Sequence, residues 1–170
     1  MLFRSGGSAW GASVWRSDSG LVCRAVAGHV RDHGVLASAG VQRGSVSGAA
    51  SYNAPSVSSV AGSNGVSSGS IFVTAVGVGF VSYGSSSRVR VGGSAALSTV
   101  WISGSSVVAR CGAGLGGGVS VAVSFGVQAG GLSLALSYNA ATVSSVSLLE
   151  VAVSGASLVD IYGNFQQAHG

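Results

Sequence analysis

The ten residues SYNAPSVSSV (51–60) reappear almost unchanged as SYNAATVSSV (137–146), at a separation of 137 − 51 = 86 positions. The same shift aligns three further pairs of segments: RSGGSA (4–9) with RVGGSA (90–95), VWRSDS (14–19) with VWISGS (100–105), and SAGVQRG (38–44) with SFGVQAG (124–130). A fixed period of several tens of residues is typical of tandem structural repeats. The sequence therefore predicts tandem units, each 86 residues long.

The repeated decapeptide marks the junction between two units, because SYN closes one unit and the Val-Ser-Ser-Val segment opens the next. This interpretation predicts one complete unit at residues 55–138. Residues 1–54 form the C-terminal part of a preceding unit, and residues 139–170 form the N-terminal part of a following one.

Apolar residues alternate with small polar ones through the complete unit, which is the period of a β-strand. Gly- and Ser-rich turns separate the strands, so about seven short strands with one apolar face predict an all-β antiparallel sandwich. The residues predicted to share an apolar face within each strand are Phe72, Thr74, Val76, Val78 and Phe80; Val89 and Val91; Val119, Val121, Val123 and Phe125; and Leu132, Leu134, Leu136 and Tyr138.

The motifs of this unit resemble those of a known family. APSVSSV (54–60) fits a first xxPxVxxV strand, and SSGSIFVTAVGVGF (67–80) ends in a Gly-x-Gly-Phe step. VRVGGSA (89–95) and the W-x-S-x-S-x-V strand WISGSSV (101–107) follow, before the closing SYN (137–139). The unit is similar to the IPT/TIG domain, the immunoglobulin-like fold shared by plexins and transcription factors, and most of all to its tandem arrays in large extracellular proteins. The resemblance implies an immunoglobulin-like sandwich and an extracellular or cell-surface location, and it implies no activity.

Charge is sparse, at 7% of residues against 47% hydrophobic ones, and the net charge of +4 comes from eight arginines opposed by four acids. A nucleic-acid interface needs basic residues clustered on one face. Only Arg88 and Arg90 share a strand face within SRVRV, so we predict no nucleic-acid partner. The start MLFRSGGSAWG has no apolar signal-peptide core, and no stretch is apolar for long enough to form a membrane segment.

The two cysteines occupy positions that the repeat fills with alanine, since Cys23 aligns with Ala109 and Cys111 aligns with Ala25. Cysteine therefore substitutes here for a small apolar residue. Each unit holds one cysteine, so we predict buried free thiols and no disulfide within a unit.

Two motifs suggest a cofactor or a metal when taken alone. GAGLGG (112–117) fits GxGxxG, but a strand-like segment follows it, whereas a phosphate site needs the N-terminus of a helix. HVRDH (29–33) spaces two histidines as some metal sites do, but it lies in a predicted loop whose counterpart has no ligand residue. We predict neither a cofactor nor a metal.

The complete unit contains no His, Asp or Glu. Its ionisable side chains are Arg88, Arg90, Arg110, Cys111, Tyr83 and Tyr138. General acid–base chemistry and activation of a serine both require a group that exchanges protons near neutral pH. We therefore predict no catalytic residue and no enzyme activity.

Three residues remain as candidate ligand contacts: Trp101, which aligns with Trp15, and the pair Arg88 and Arg90. Exposed tryptophan can stack on sugars or protein partners, although Trp on a sandwich strand more often fills the core.

The leading hypothesis is a non-catalytic immunoglobulin-like repeat that acts as a structural spacer or an adhesion or binding module in a larger cell-surface or secreted protein. Its partners would be neighbouring repeats, or a protein or glycan ligand. The alternatives are a carbohydrate-binding accessory module and a DNA-binding module of the transcription-factor type. The 32 residues of 139–170 supply the front strands that the 54 residues of 1–54 lack, since 54 + 32 = 86, so head-to-tail self-association by strand donation is also expected.

Overall fold

The structure is a computed structural model that describes residues 2–5, 8–29, 31–81, 86–147, 155 and 158–165. Every regular element among them is a β-strand, and they contain no helix that could cross a membrane. The strands are β1 (Leu2–Ser5), β2 (Ser8–Ala9), β3 (Ser13–Ser17), β4 (Gly20–Cys23), β5 (His33–Ala39), β6 (Gln42–Ala50), β7 (Ser56–Ala61), β8 (Asn64–Gly65), β9 (Phe72–Val78), β10 (Ser87–Val91), β11 (Ser94–Ala95), β12 (Ser98–Ser103), β13 (Ser106–Arg110), β14 (Val119–Phe125), β15 (Gln128–Tyr138), β16 (Thr142–Ser147) and β17 (Asp160–Asn164).

Strands β7 to β15 form an immunoglobulin-like sandwich of two sheets. One sheet has the order β11-β10-β14-β15-β8 and the other has the order β12-β13-β9-β7. Neighbouring strands are antiparallel except β8, which pairs with the end of β15 in parallel. The predicted all-β fold is confirmed.

Side chains from both sheets form one buried core in which valine predominates. The Phe80 and Phe125 rings pack against each other with their centroids 5.6 Å apart. Complete burial of a Val, Leu or Phe side chain contributes roughly 1.5–3 kcal/mol. The buried residues are Val57, Val73, Ala75, Phe80, Val89, Val91, Val107, Ala109, Cys111, Val121, Val123, Phe125, Ala135, Leu136 and Tyr138.

The apolar face predicted for β9 is wrong. Val73 and Ala75 point into the core, whereas Phe72 is 66% exposed and Val78 is 65% exposed. Phe80 is buried because it lies beyond the end of β9, after a turn at Gly79 with a φ of +77°. If Phe80 is taken as part of the strand, the alternation places Phe72, Val76 and Val78 in the core, although they face solvent.

A second departure occurs in β15, where Leu134 is 81% exposed although the alternation predicts it in the core. The register between β14 and β15 shifts between Val119 and Val121, and Leu134 adopts a φ of +55° within the resulting bulge. The aligned residue is Gly48, with a φ of +61°, and glycine accepts this conformation readily. The other inward residues predicted for β10 and β14 lie on the core side.

Equivalent positions 86 residues apart make equivalent contacts. The Tyr52 hydroxyl donates to the Val26 carbonyl at 2.5 Å, and the Tyr138 hydroxyl donates to the Gly112 carbonyl at 3.2 Å. The Ser58 hydroxyl bridges a bulge by donating to the carbonyl of Val76, and Ser144 makes the same bond to Tyr162, each at 3.1 Å. The segments outside 55–138 therefore adopt the local structure of their counterparts, while their division into partial units stays a prediction.

Gly114→Ala tests the packing at the closing end of the sandwich. An added Cβ would lie 2.5 Å from the Tyr138 ring, which is buried and held by its hydroxyl, so overpacking should lower the free energy of unfolding by about 1–3 kcal/mol. Gly112→Ala is the matched control in the same loop, because its nearest neighbour would be the Leu97 Cδ2 at 4.0 Å. Urea unfolding measures both variants, and equal stability of the two would contradict this packing.

Candidate functional site

Arg88 and Arg90 lie on the solvent face of β10, and both side chains are exposed. Val89 and Val91 alternate with them and point into the core, so the strand fixes both arginines on one face. The Arg90 guanidinium donates to the Gly93 carbonyl at 3.1 Å, which holds it over the turn between β10 and β11.

The two arginines line a shallow cleft of about 260 Å³ at the edge where β10 approaches β12. Ala95, Ala96 and Thr99 complete its wall. The Val89 N–H donates to the Thr99 hydroxyl at 3.3 Å and thereby ties the two sheets together beneath this cleft. The cleft combines two cations with small side chains, so it can accept an anionic or hydroxyl-rich group.

Trp101 lies on β12 opposite Val107, a fully buried residue, and therefore on the core side of the sheet. Because β12 is an edge strand, the indole covers the border of the core and stays 37% exposed. Its N–H donates to the Phe80 carbonyl at 2.9 Å. A tethered, partly exposed ring can stack on a planar or sugar-like surface.

The structure brings the two arginines together but does not place Trp101 in their cleft. Trp101 follows Thr99 by two residues on β12, so the indole lies further along the same sandwich edge. The three candidates thus mark one edge of the sandwich rather than one pocket.

Sequence reasoning missed a larger cavity of about 440 Å³ at the closing end of the sandwich. The glycine-rich segment 112–118 forms one wall, and the turn between β10 and β11 forms another. Cys111 and Tyr138 also line it. The sequence predicts GAGLGG to be a loop before a strand, and β14 does follow it, but the sequence does not show that this loop forms the wall of a cavity with the turn between β10 and β11.

The groups at this cavity stay uncharged. Burial raises the pKa of the Cys111 thiol above its ordinary value of 9.0. Burial, and to a smaller extent the neighbouring Cys111, raises the pKa of the Tyr138 hydroxyl. Neither a thiolate nor a phenolate forms near neutral pH, so the cavity offers neutral hydrogen-bonding groups and apolar surface.

The outer face of the β12-β13-β9-β7 sheet is apolar and uncovered. Its exposed side chains are Phe72, Val76, Val78, Val100 and Ile102. An immunoglobulin-like sheet normally alternates apolar residues inward with polar residues outward. This face is therefore a second candidate contact surface. The residues of β9 on it are those that the alternation had assigned to the core.

The histidines of HVRDH do not converge on a common site. His33 opens β5 and packs edge-on against the Tyr52 ring with centroids 5.6 Å apart, whereas the His29 ring lies beside Gly126. Throughout the described part of the chain, no three His, Cys, Asp or Glu side chains come close enough to hold a metal ion.

The two-sheet sandwich defines an immunoglobulin-like module. Residues 55–139 match the sequence profile of the IPT/TIG domain, and the chain belongs to this family, which is a non-catalytic type of module. The earlier resemblance is thereby confirmed.

No curated protein sequence matches the chain. Among solved structures, it is similar to the mixed-linkage glucan utilization locus protein SGBP-B of Bacteroides ovatus, solved in complex with a mixed-linkage heptasaccharide. The identity is 13% and the TM-score is 0.38, over 81% of this chain and 39% of that chain. This chain therefore spans well under half the length of that protein.

Thiol labelling tests the buried state of Cys111. Cys111 is fully buried while Cys23 is partly exposed, so a maleimide should label Cys23 in the native protein and reach Cys111 only after unfolding. Mass spectrometry of the labelled peptides in buffer and in urea measures this order. Equal labelling of both thiols in buffer would contradict the buried assignment.

Proposed function

We propose that the chain is a non-catalytic immunoglobulin-like repeat, serving as a structural spacer and binding module of a larger cell-surface or secreted protein. Family membership supports the module type, and the family resemblance supports the location. The lack of His, Asp and Glu in 55–138 supports the absence of acid–base catalysis.

The observation that carries the spacer role is a buried contact at the junction of residues 1–54 with the sandwich. Gln128, at the start of β15, is 3% exposed, and its side-chain amide donates to the Tyr52 carbonyl at 2.8 Å. A Cβ on Gly130 would overlap the Pro55 carbonyl, so the backbones meet closely at the same place. A partly buried hydrogen bond and close backbone packing restrain the orientation of consecutive units, as a spacer requires.

Gln128→Ala tests this junction. Loss of the amide leaves the Tyr52 carbonyl without its donor, which should cost about 0.5–1.5 kcal/mol locally and speed amide exchange at residues 53–56. Gln42→Ala is the matched control, because Gln42 aligns with Gln128 but is exposed. Hydrogen exchange followed by mass spectrometry at low protein concentration compares the two. Identical exchange at 53–56 in both variants would contradict the proposed restraint.

A second candidate function is carbohydrate binding, and the tethered, partly exposed indole of Trp101 favours it. Sugars stack on tryptophan faces, and the Arg88–Arg90 cleft along the same edge offers donors for hydroxyl groups. Nucleic-acid binding is less well supported, because these two arginines are the only close pair of cations on the sandwich face described here.

Trp101→Ala tests the carbohydrate hypothesis on an array of plant, microbial and animal glycans. Removal of a stacking tryptophan at the centre of a binding site should weaken the affinity by about tenfold or more. Trp15→Ala is the matched control, since Trp15 aligns with Trp101 but lies in the separate two-stranded sheet β3-β4, and this variant should keep the glycan affinity of the unmodified chain. Absence of any glycan signal from the unmodified chain would eliminate this candidate.

A further inference from the structure

The cavity at the closing end of the sandwich has the size of a small-molecule site, at about 440 Å³. The loop 112–118 and the turn between β10 and β11 enclose it. Among the described residues that line it, none has a charged side chain. An ion that entered this cavity would lose hydration and gain no counter-charge, so the lining favours an uncharged ligand.

The repeat allows this cavity to be compared with the aligned place 86 residues earlier, because the backbone is held in the same way at both. The Leu97 N–H donates to the Arg110 carbonyl at 2.8 Å, and the Gly11 N–H donates to the Arg24 carbonyl at 3.0 Å. The closing tyrosines, as described above, also make equivalent bonds in the two segments. A side chain that precedes this bond therefore starts from the same point of the fold in each segment.

The residue before this bond is where the two segments differ. It is Ala96 in the complete unit, where it lines the cavity, and Trp10 in the preceding segment. Trp10 is half-buried, and its indole nitrogen is fully buried. This point of the repeat therefore accepts an indole inside the protein, and alanine at the same point leaves the volume of that ring empty.

We propose that the cavity is a binding site for a small, uncharged aromatic molecule of about the size of indole. Trp10 indicates the size and shape of the ring, and the side chains of Val91, Leu115 and Val119 offer it apolar surface. An apolar cavity of this kind can bind an aromatic molecule that replaces a missing side chain.

The Tyr138 hydroxyl adds a preference for a ring that carries an N–H. This hydroxyl lines the cavity and uses its proton to bond the Gly112 carbonyl at 3.2 Å. It can therefore offer a ligand only its acceptor capacity, which suits the N–H of an indole. The hydroxyls of Ser94 and Ser120, also on the lining, can bond a polar substituent of the ring.

This site does not rest on the proposed spacer or glycan-binding roles. Ala95 and Ala96 line both the cavity and the Arg88–Arg90 cleft, but the two arginines line the cleft alone. The two neighbouring sites therefore differ in charge, and ligand charge distinguishes them.

Titration of the full 170-residue chain with two matched indoles tests the site by ¹⁵N NMR. Indole-3-acetamide should bind one molecule per chain with a Kd of about 0.1–1 mM and shift the amides of 111–120 and 138. Indole-3-acetate has the same ring and nearly the same size but carries a negative charge. It should bind at least about tenfold more weakly, although the net charge of +4 attracts anions to the chain as a whole.

Three results of this titration would overturn the proposal. The first is the absence of saturable shifts with millimolar indole-3-acetamide. The second is equal or tighter binding of indole-3-acetate. The third is a set of shifts confined to Arg88, Arg90 and Thr99, because these residues line the cleft and not the cavity.

Ala96→Trp tests the position of the ligand by introducing the residue that the repeat has at position 10. The new indole should fill the cavity, weaken binding of indole-3-acetamide by about tenfold or more, and raise the melting temperature. Ala129→Trp is the matched control, because Ala129 is exposed, does not line the cavity and aligns with the large Arg43. It should keep the affinity of the unmodified chain. Equal affinity of the two folded variants would contradict the site.

A second pair of variants tests the site if Ala96→Trp does not fold. Leu115 is 68% exposed and lines the cavity, whereas Leu97 is 62% exposed and is absent from its lining. Leu115→Asp places a charge on the wall and should weaken binding at least about fivefold, while Leu97→Asp should keep it. Equal binding by both aspartate variants would contradict the assignment of the wall.

N-acetyltryptophanamide distinguishes a free ligand from a side chain that a partner protein inserts. It carries the same ring on a peptide-like group, which needs more room than the acetamide. We expect it to bind more weakly than indole-3-acetamide. Clearly tighter binding of N-acetyltryptophanamide would mean that the ring arrives on a polypeptide, and it would overturn the assignment to a small molecule.

Discussion

The pairing of β9 with β13 is the interaction on which the sandwich depends. In this pairing Val107 lies opposite Ala75, and Ala109 lies opposite Val73. All four side chains are buried beneath the facing sheet. With this pairing, the central backbone groups are bonded and the valine-rich faces are buried. The repeat counterparts of β13 and β9 are β4 and β17, which do not pair with each other. Each of them belongs to a two-stranded sheet with exposed apolar side chains.

The composition that permits this packing also limits the chemistry. Small side chains let two sheets pack closely, and alternating serine and alanine cover much of the five-stranded sheet without charge. What remains for recognition is an edge with two arginines and a tethered indole, a neutral cavity, and an uncovered apolar face. These features suit the binding role proposed for a module of this family.

The fold could be predicted from the sequence because the repeat and the alternation agree, and β10 and β14 follow the predicted phase. The sequence could not predict which side chains of β9 face the core. Phe80 is buried because the chain turns at Gly79, and Phe80 is not part of the strand. Leu134 was misassigned because a bulge shifts the register, although its alignment with Gly48 carried the signal. The cavity depends on loops that meet only in three dimensions, so no spacing in the sequence marks its walls.

Backbone amide exchange, measured strand by strand over a range of concentrations, tests the dependence on the β9–β13 pairing most directly. Amides of β9 and β13 should be protected at every concentration. Those of β4 and β17, which belong to two-stranded sheets, should exchange much faster. Equal protection of β4 and β13, or fast exchange in β9 and β13, would contradict a sandwich that depends on the β9–β13 pairing.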